Sequence, residues 1–195
     1  MVRADAGLAL LKRAVGYAVA RSDEVTPRQL ANPTPCAGWD LRTLLAHISE
    51  STQLLREAIG SGCVGSAAGR AADREGIGST RQIDPAAAFR ADAALLLGAC
   101  ADRGTERQVT IDDSYLSVGL VAATGAIELA VHGWDICAAC GHARPIPPVL
   151  ARDLLQVAPL AVNGATRQGL FGEPVRVSPL ACPGDRLVAL LGRTP

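Results

Sequence analysis

Apolar residues recur through most of this 195-residue chain at the three- and four-residue spacing that is typical of helices. Six segments carry the pattern: residues ~3–21, ~41–59, ~85–102, ~115–140, ~149–163 and 183–191. The fourth segment differs from the others because it is apolar on almost every side. The spacing therefore predicts a helical protein whose fourth helix is largely apolar.

The connections between these segments are rich in glycine, proline and polar residues. Residues 60–84 contain six glycines and little periodicity, which predicts a mobile loop, a candidate lid. In the polar stretch 103–113 we expect extended backbone around Val109 and Ile111, and we expect a short strand around Val175–Val177. Asp40 is placed to cap the second helix.

Four long helices joined by moderate loops favour an all-α fold, an up-and-down four-helix bundle with a short C-terminal extension. We expect the bundle to span residues 1–145. Residues 146–195 are expected to form a helical extension packed on the bundle. The length suits one main domain with a small appendage, and we expect a monomer or a homodimer.

Composition narrows the classes of partner. The 19 basic and 19 acidic residues balance, and aromatic residues make up only 3% of the chain, so a nucleic-acid partner is not expected. No uninterrupted apolar run reaches the ~18–20 residues of a membrane span. The N-terminus also lacks the apolar core of a signal peptide, so we expect a cytoplasmic protein with no membrane association.

The six cysteines of such a chain should be reduced thiols. Cys137 and Cys140 form its one CxxC pair. A structural zinc site needs a second pair of ligands, and the chain has no second CxxC. We therefore expect these two cysteines to be small buried side chains.

The chemistry-bearing residues of the fourth segment share one helical face. Between Ser114 and Ala143 the only charged residues are Glu128 and Asp135. At 100° per residue, Glu128 and His132 lie about 40° apart, and Asp135 falls within about 60° of both. A buried carboxylate needs a partner or a cation, and a divalent metal would supply one.

Imidazole and carboxylate one turn apart can bind zinc, and His47 on the second helix could complete a set of three ligands. Three protein ligands would leave a position open for water or substrate. Spacing alone also allows the histidines to be hydrogen-bonded core residues. Asp135 could orient a ligand, act as a general base, or be a structural acid at the helix end.

Two segments resemble the signatures of the DinB-like, mycothiol-dependent maleylpyruvate isomerase superfamily. They are Thr34-Pro-Cys-Ala-Gly-Trp-Asp-Leu-Arg-Thr-Leu-Leu-Ala-His47 and Glu128-Leu-Ala-Val-His-Gly-Trp-Asp135. The tail Asp185-Arg-Leu-Val-Ala-Leu-Leu-Gly-Arg193 is similar to the ending of actinobacterial members. The resemblance covers most of the chain apart from residues 60–84.

The resemblance implies a DinB-like four-helix bundle that holds zinc or a similar divalent ion through His47, Glu128 and His132. It implies that Asp135 is catalytic, and that mycothiol or another low-molecular-weight thiol attacks a small electrophile as a metal thiolate. The isomerase also uses an arginine from a larger C-terminal domain. Only about 50 residues follow the bundle here, and Arg186 is the candidate replacement.

Three functions remain open on these residues. The first is a metal-dependent thiol transferase or thiol-assisted isomerase. The second is an enzyme that uses the same metal as a Lewis acid on a biosynthetic intermediate, without a thiol. The third is a metal-binding bundle without catalysis, whose site would be closed by a fourth protein ligand.

Overall fold

The structure, a computed structural model, describes residues 2–64, 84–101, 108–111, 114–142, 144–162 and 171–195. Within these residues there are six helices, α1 (Ala4–Ser22), α2 (Leu41–Ser61), α3 (Pro85–Ala101), α4 (Val118–Ala139), α5 (Pro148–Ala161) and α6 (Pro183–Leu190). A short 3₁₀ turn, Pro27–Gln29, follows α1. Three short strands are β1 (Cys63–Val64), β2 (Gln108–Ile111) and β3 (Ser114–Ser117). The predicted all-α class is confirmed, with this small sheet as an addition.

Helix α4 forms the centre of the core. Seventeen of its 22 residues are buried, and α1, α2 and α5 all pack against it. Among the described helices it alone is long and apolar enough to cross a membrane. In the most apolar 18-residue window of that helix, 78% of residues are buried inside the fold, as expected of a core helix.

Glycines allow α1 and α4 to approach closely. A Cβ atom added to Gly7 would lie 2.2 Å from the carbonyl oxygen of Gly119. A Cβ atom on Gly133 would lie 2.8 Å from the Tyr17 ring and 3.2 Å from the Cα of Ala18. A glycine within a helix lowers its intrinsic stability, so close backbone packing explains why Gly133 stands beside His132.

We expect Gly133→Ala to lower the free energy of unfolding by about 1–3 kcal/mol, because the added methyl group has no room between α4 and α1. Gly16→Ala is the matched control, since a Cβ atom there meets no atom within 4 Å. The control should raise stability by about 0.5–1 kcal/mol, the usual gain of Ala over Gly in a helix. Urea denaturation of both variants measures the difference, and equal values would contradict this account of the packing.

Helix α2 begins and ends at well-defined caps. The Asp40 carboxylate accepts hydrogen bonds from the backbone N–H of Thr43 at 2.8 Å and from its hydroxyl at 2.7 Å. Gly62 ends the helix in the left-handed conformation, with φ of 78°. Asp92 of α3 accepts hydrogen bonds from Ser49 and Gln53, which joins α2 to α3. These contacts define the ends of α2 and hold it beside α3.

The small sheet corrects two sequence predictions. The fourth helix was predicted from about residue 115, but residues 114–117 pair antiparallel with β2 and the helix begins at Val118. Ser117 ends the strand and caps α4 by accepting a hydrogen bond from Leu120 N. Residues 63–64 of the predicted loop pair parallel with β2. Residues 65–83, where most of that loop and its predicted lid lie, fall outside the described residues.

The C-terminal residues return to the bundle. Helix α5 packs on α4 and α1, and α6 packs on α5. The strand predicted at Val175–Val177 is not formed, because Val175 N instead donates a hydrogen bond to Ala189 O beside α6. Gly192, with φ of 86°, then turns the chain so that Arg193 is buried. The boundary predicted between residues 145 and 146 stays a prediction.

Candidate metal and thiol site

Helices α2 and α4 bring His47, Glu128 and His132 together. The His47 Nε2 and Glu128 Oε1 atoms are 3.2 Å apart, and the two histidine rings meet edge to face at 5.2 Å. One potential ligand atom from each residue lies within 4.8 Å of the others. Two atoms bound tetrahedrally to zinc at 2.0–2.2 Å would be about 3.3–3.5 Å apart. The donor set and its spacing therefore fit a divalent metal.

The cluster is open on the α2 side. The exposed fractions of the side chains are 35% for His47, 25% for Glu128 and 11% for His132. The solvent-accessible part of the site thus lies near His47, whereas His132 faces the protein interior. A ligand or water could reach a metal ion from that side.

The carboxylate of Glu128 is held in its charged form. Burial raises the pKa of Glu128, but hydrogen bonds from His47 and Ser51 and the charge of His132 outweigh that effect and lower it. Ser51 Oγ donates to Glu128 Oε1 at 2.5 Å. Ser51 follows His47 by one helical turn, so both side chains reach the same oxygen. An ionised carboxylate is the form that binds a metal.

Asp135 lies behind His132 and is fully buried. Its Oδ2 atom is 2.9 Å from His132 Nδ1. Because a carboxylate only accepts, Nδ1 carries a proton, and Nε2 is the ring atom left to bind a metal. Such carboxylate–histidine pairs are the usual support of metal-binding imidazoles. Of the roles left open for Asp135, the geometry favours that of orienting His132.

Arg193 is the partner of Asp135 that the sequence did not reveal. Its Nη2 atom donates to Asp135 Oδ2 at 3.0 Å, and its Nε atom donates to Oδ1 at 3.3 Å. Burial raises the pKa of Asp135, but the hydrogen bonds from His132 and Arg193 hold it below its usual value. A carboxylate with a lowered pKa is a weak proton acceptor, which also favours the orienting role.

Cys36 is a second residue that sequence reasoning missed. Its Sγ atom lies 3.4 Å from Asp135 Oδ2 and 3.3 Å from Arg193 Nη2. Burial and the charge of Asp135 raise the pKa of the Cys36 thiol to about 11, against the opposing effect of Arg193. The thiol is therefore neutral near pH 7. Cys36, His132 and Asp135 also form a compact potential ligand group. The adjacent Arg193 cation disfavours a metal at that position.

The loop before α2 presents Cys36 and Trp39 to the site. Thr34 accepts a hydrogen bond from Cys36 N and donates one from Oγ1 to Trp39 O at 2.9 Å. Gly38 adopts a positive φ of 79°, which permits the tight turn. The Trp39 ring then meets the ring of His47 at 4.8 Å. The motif from Thr34 to His47 is thus one local structure that supports His47, a candidate metal ligand.

The other residues that the sequence analysis considered for chemistry lie outside the cluster of His47, Glu128 and His132. Arg186, the candidate C-terminal arginine, is exposed on α6, and it is Arg193 that reaches Asp135. Cys137 is buried and Cys140 half-buried, and all six cysteines are free thiols. Neither of these two belongs to a potential metal cluster among the described residues. His142 lies just beyond the C-terminal end of α4 and pairs with Glu24.

Comparison with known proteins places the chain by sequence and by fold. Residues 11–137 match the family described as the mycothiol maleylpyruvate isomerase N-terminal domain. A comparison with curated protein sequences found no match. Among solved structures, the chain is similar to the crystal structure of the mycothiol-dependent maleylpyruvate isomerase, with a TM-score of 0.54 and 16% sequence identity. The similarity covers 75% of this chain and 65% of that one.

Proposed function

Because the chain belongs to the mycothiol maleylpyruvate isomerase N-terminal domain family, we propose that it is a metal-dependent enzyme. Its reaction adds a low-molecular-weight thiol, such as mycothiol, to a small electrophile. The thiol is then either released again, in an isomerisation, or retained in the product, in a transfer. The metal is zinc or a similar divalent ion held by His47, Glu128 and His132. The isomerase to which it is similar extends well beyond the shared region, so the substrate of that protein is not carried over.

The proposal rests on one observation. His47 Nε2 lies 3.2 Å from Glu128 Oε1, next to the ring of His132. Two neutral imidazoles and one carboxylate are a typical zinc donor set that leaves a coordination position for a further ligand. The exposed edge of His47 supplies access for that ligand. A site closed by a fourth protein ligand would favour a structural role instead.

A divalent cation bound there would lower the pKa of a coordinating thiol and polarise an electrophile. Three residues of the chain would hold the metal ligands in place for this chemistry. Ser51 fixes the Glu128 carboxylate, and Asp135 fixes the tautomer of His132. Arg193 keeps Asp135 ionised, so that the carboxylate continues to accept the hydrogen bond from His132 Nδ1.

The neighbouring Cys36 thiol does not supply the nucleophile. Its pKa of about 11 leaves it protonated near pH 7. Arg193 is engaged with Asp135, which makes it a positioning residue rather than an anchor for an anionic substrate. We therefore assign the role of nucleophile to a thiol cosubstrate rather than to Cys36.

The test is a conjugation assay with 1-chloro-2,4-dinitrobenzene and maleylpyruvate as electrophiles, each with and without mycothiol. We expect turnover of at least one electrophile that requires both mycothiol and a divalent metal. The double variant Cys137→Ser/Cys140→Ser is the control, and it should keep the metal content and turnover of the native chain.

The outcomes separate the three functions. Turnover that needs the metal but not the thiol would favour the Lewis-acid alternative. Metal binding without turnover of either electrophile would favour the bundle without catalysis. Loss of turnover in the cysteine double variant would show that Cys137 or Cys140 takes part in the chemistry, contrary to the proposal.

A further inference from the structure

The two cysteines at the end of α4 are a pair of nucleophilic side chains that the proposed function does not use. Cys137 lies in the last turn of α4 and is buried, whereas Cys140 caps the end of the helix and is half-buried. Both are free thiols, and neither belongs to a potential metal cluster among the described residues. A pair of thiols can pack in a core or exchange with disulfides, so its geometry decides between these roles.

A single hydrogen-bonded turn encloses both cysteines. His142 N donates to Cys137 O at 2.9 Å, and Gly141 N donates to Ala138 O at 3.1 Å. Gly141 has a positive φ of 73°, which completes a Schellman motif at the end of α4. By helical geometry, Cα atoms three positions apart are about 5 Å from each other, within the roughly 4.4–6.8 Å found in disulfides. The backbone therefore already holds the two cysteines at a distance that a disulfide can bridge.

Closing a disulfide requires only a small movement, and the position of Cys140 permits it. Cβ atoms three positions apart in a helix are about 5–6 Å apart, against roughly 3.5–4.5 Å in a disulfide. Cys140 follows the last helical residue, Ala139, so a shift of about 1–2 Å there would disturb only the end of the helix. The charge of an ionised Cys137 raises the pKa of Cys140, in addition to the effect of burial, so the two thiols lie within electrostatic range of each other.

The surroundings of the two thiols differ, which sets the order in which they react. Cys140 is half-buried, so a small molecule can reach its Sγ atom, whereas Cys137 is covered. Burial is the main cause that raises the pKa of Cys137, and hydrogen bonds from Arg21 and Tyr17 of α1 oppose it. The Arg21 Nε atom is itself buried and has no hydrogen-bond partner among the described residues. Negative charge that develops on the Cys137 sulfur therefore has donors beside it.

We propose that Cys137 and Cys140 form a reversible dithiol–disulfide site that reacts with a low-molecular-weight disulfide. The Cys140 sulfur attacks one sulfur of the small disulfide, which forms a mixed disulfide and releases one small thiol. The Cys137 sulfur then attacks the Cys140 sulfur, which closes the intrachain bond and releases the second small thiol. Two protein thiols are thus oxidised and one small disulfide is reduced, and the two protons leave on the released thiols. The reaction involves neither a metal ion nor the proposed metal ligands.

The experiment measures the final state of each cysteine rather than an initial rate. Burial raises the pKa of both thiols, and exchange requires a thiolate, so we expect the reaction to be slow. The full chain is incubated with glutathione disulfide until its thiol content is constant. It is then quenched with acid, alkylated and mapped by peptide mass spectrometry. A parallel sample in urea reports the same pair without the fold.

We expect Cys137 and Cys140 of the folded chain to lose both free thiols. Their shared peptide should lack two hydrogen atoms and carry no glutathione, and excess glutathione should restore both thiols. Cys63 and Cys182 are the comparators because both are exposed, and each should instead carry a bound glutathione. This contrast separates the pair from thiols that are merely accessible.

Two matched variants test the order of the two steps. In Cys137→Ser, Cys140 should keep the glutathione that the second thiol displaces in the native chain. In Cys140→Ser, the buried Cys137 should remain unmodified over the same period. Cys137→Ala provides the first test again should Cys137→Ser fail to fold. Glutathione on Cys137 of Cys140→Ser, with none on Cys140 of Cys137→Ser, would overturn the proposed order.

Three results with the native chain would overturn the proposal itself. One is that Cys137 and Cys140 stay reduced while Cys63 and Cys182 carry glutathione. Another is that Cys140 keeps its glutathione and no intrachain bond forms. The third is an intrachain bond that forms only in urea, since the fold would then prevent the reaction. Each result is a peptide mass, so it is distinct from any failure of the metal-dependent function.

Discussion

Asp135→Asn is expected to lower the free energy of unfolding by about 3–5 kcal/mol, because it leaves the buried Arg193 guanidinium without its counter-ion. The same change should weaken metal binding by roughly 10–100-fold, the usual effect of losing the carboxylate behind a metal-binding imidazole. Urea denaturation measures the first effect and metal titration the second. Asp153→Asn is the matched control, since its ion pair with Arg13 is 41% exposed on both sides.

The metal titration also separates two roles of Asp135. If Asp135 orients His132, the loss of turnover should follow the loss of metal and be largely restored by excess metal. If Asp135 is a general base, metal affinity should hold while turnover falls by roughly 10²–10⁴-fold at every metal concentration. A change confined to turnover would contradict the orienting role. Unchanged stability would contradict the importance of the buried ion pair.

Arg193→Met should lower stability by a similar amount, about 3–5 kcal/mol, because the buried Asp135 carboxylate then loses its cation. The double variant Asp135→Asn/Arg193→Met should be less destabilised than the sum of the two single variants, since neither charge remains unpaired. Arg13→Met, at an exposed ion pair, should change stability by less than about 1 kcal/mol. Strict additivity in the double variant would contradict direct pairing between Arg193 and Asp135.

Arg193→Lys tests the geometry of this pair. Two guanidinium nitrogens contact the two oxygens of Asp135, and another donates to Leu191 O at 2.8 Å. A lysine ammonium group has no such planar arrangement of donors and should recover only part of the lost stability. Full recovery would show that charge alone is sufficient at this position.

Much of the fold could be predicted because the helices carry strong periodicity and clear ends. The start of α2 follows from the Asp40 cap, its end was predicted two residues before Ser61, and α3 begins at Pro85 as its sequence indicates. The start of α4 was placed too early because residues 114–117 are mostly apolar or neutral. Their pairing with β2 is a non-local interaction that local periodicity does not encode.

The site was predictable only in part, for a similar reason. Glu128, His132 and Asp135 lie on one helix, so their shared face follows from the helical repeat. The contact of Arg193 with Asp135 spans 58 residues, and its contact with Cys36 spans 157. Arg193 and Cys36 lie within the segments that carry the resemblance to the superfamily. Residue spacing alone could not indicate that the C-terminus returns to α4. The sequence thus presented Asp135 as an acid without a known counter-ion.

The account rests on a metal ion held by His47, Glu128 and His132, and metal content measured by mass spectrometry after dialysis tests it most directly. The native chain should retain close to one zinc or similar divalent ion per molecule, and His132→Ala should lose it. His142→Ala, which alters an exposed histidine just beyond the C-terminal end of α4 and outside the cluster, should retain the ion. Full metal occupancy in the triple variant His47→Ala/Glu128→Ala/His132→Ala would contradict the account.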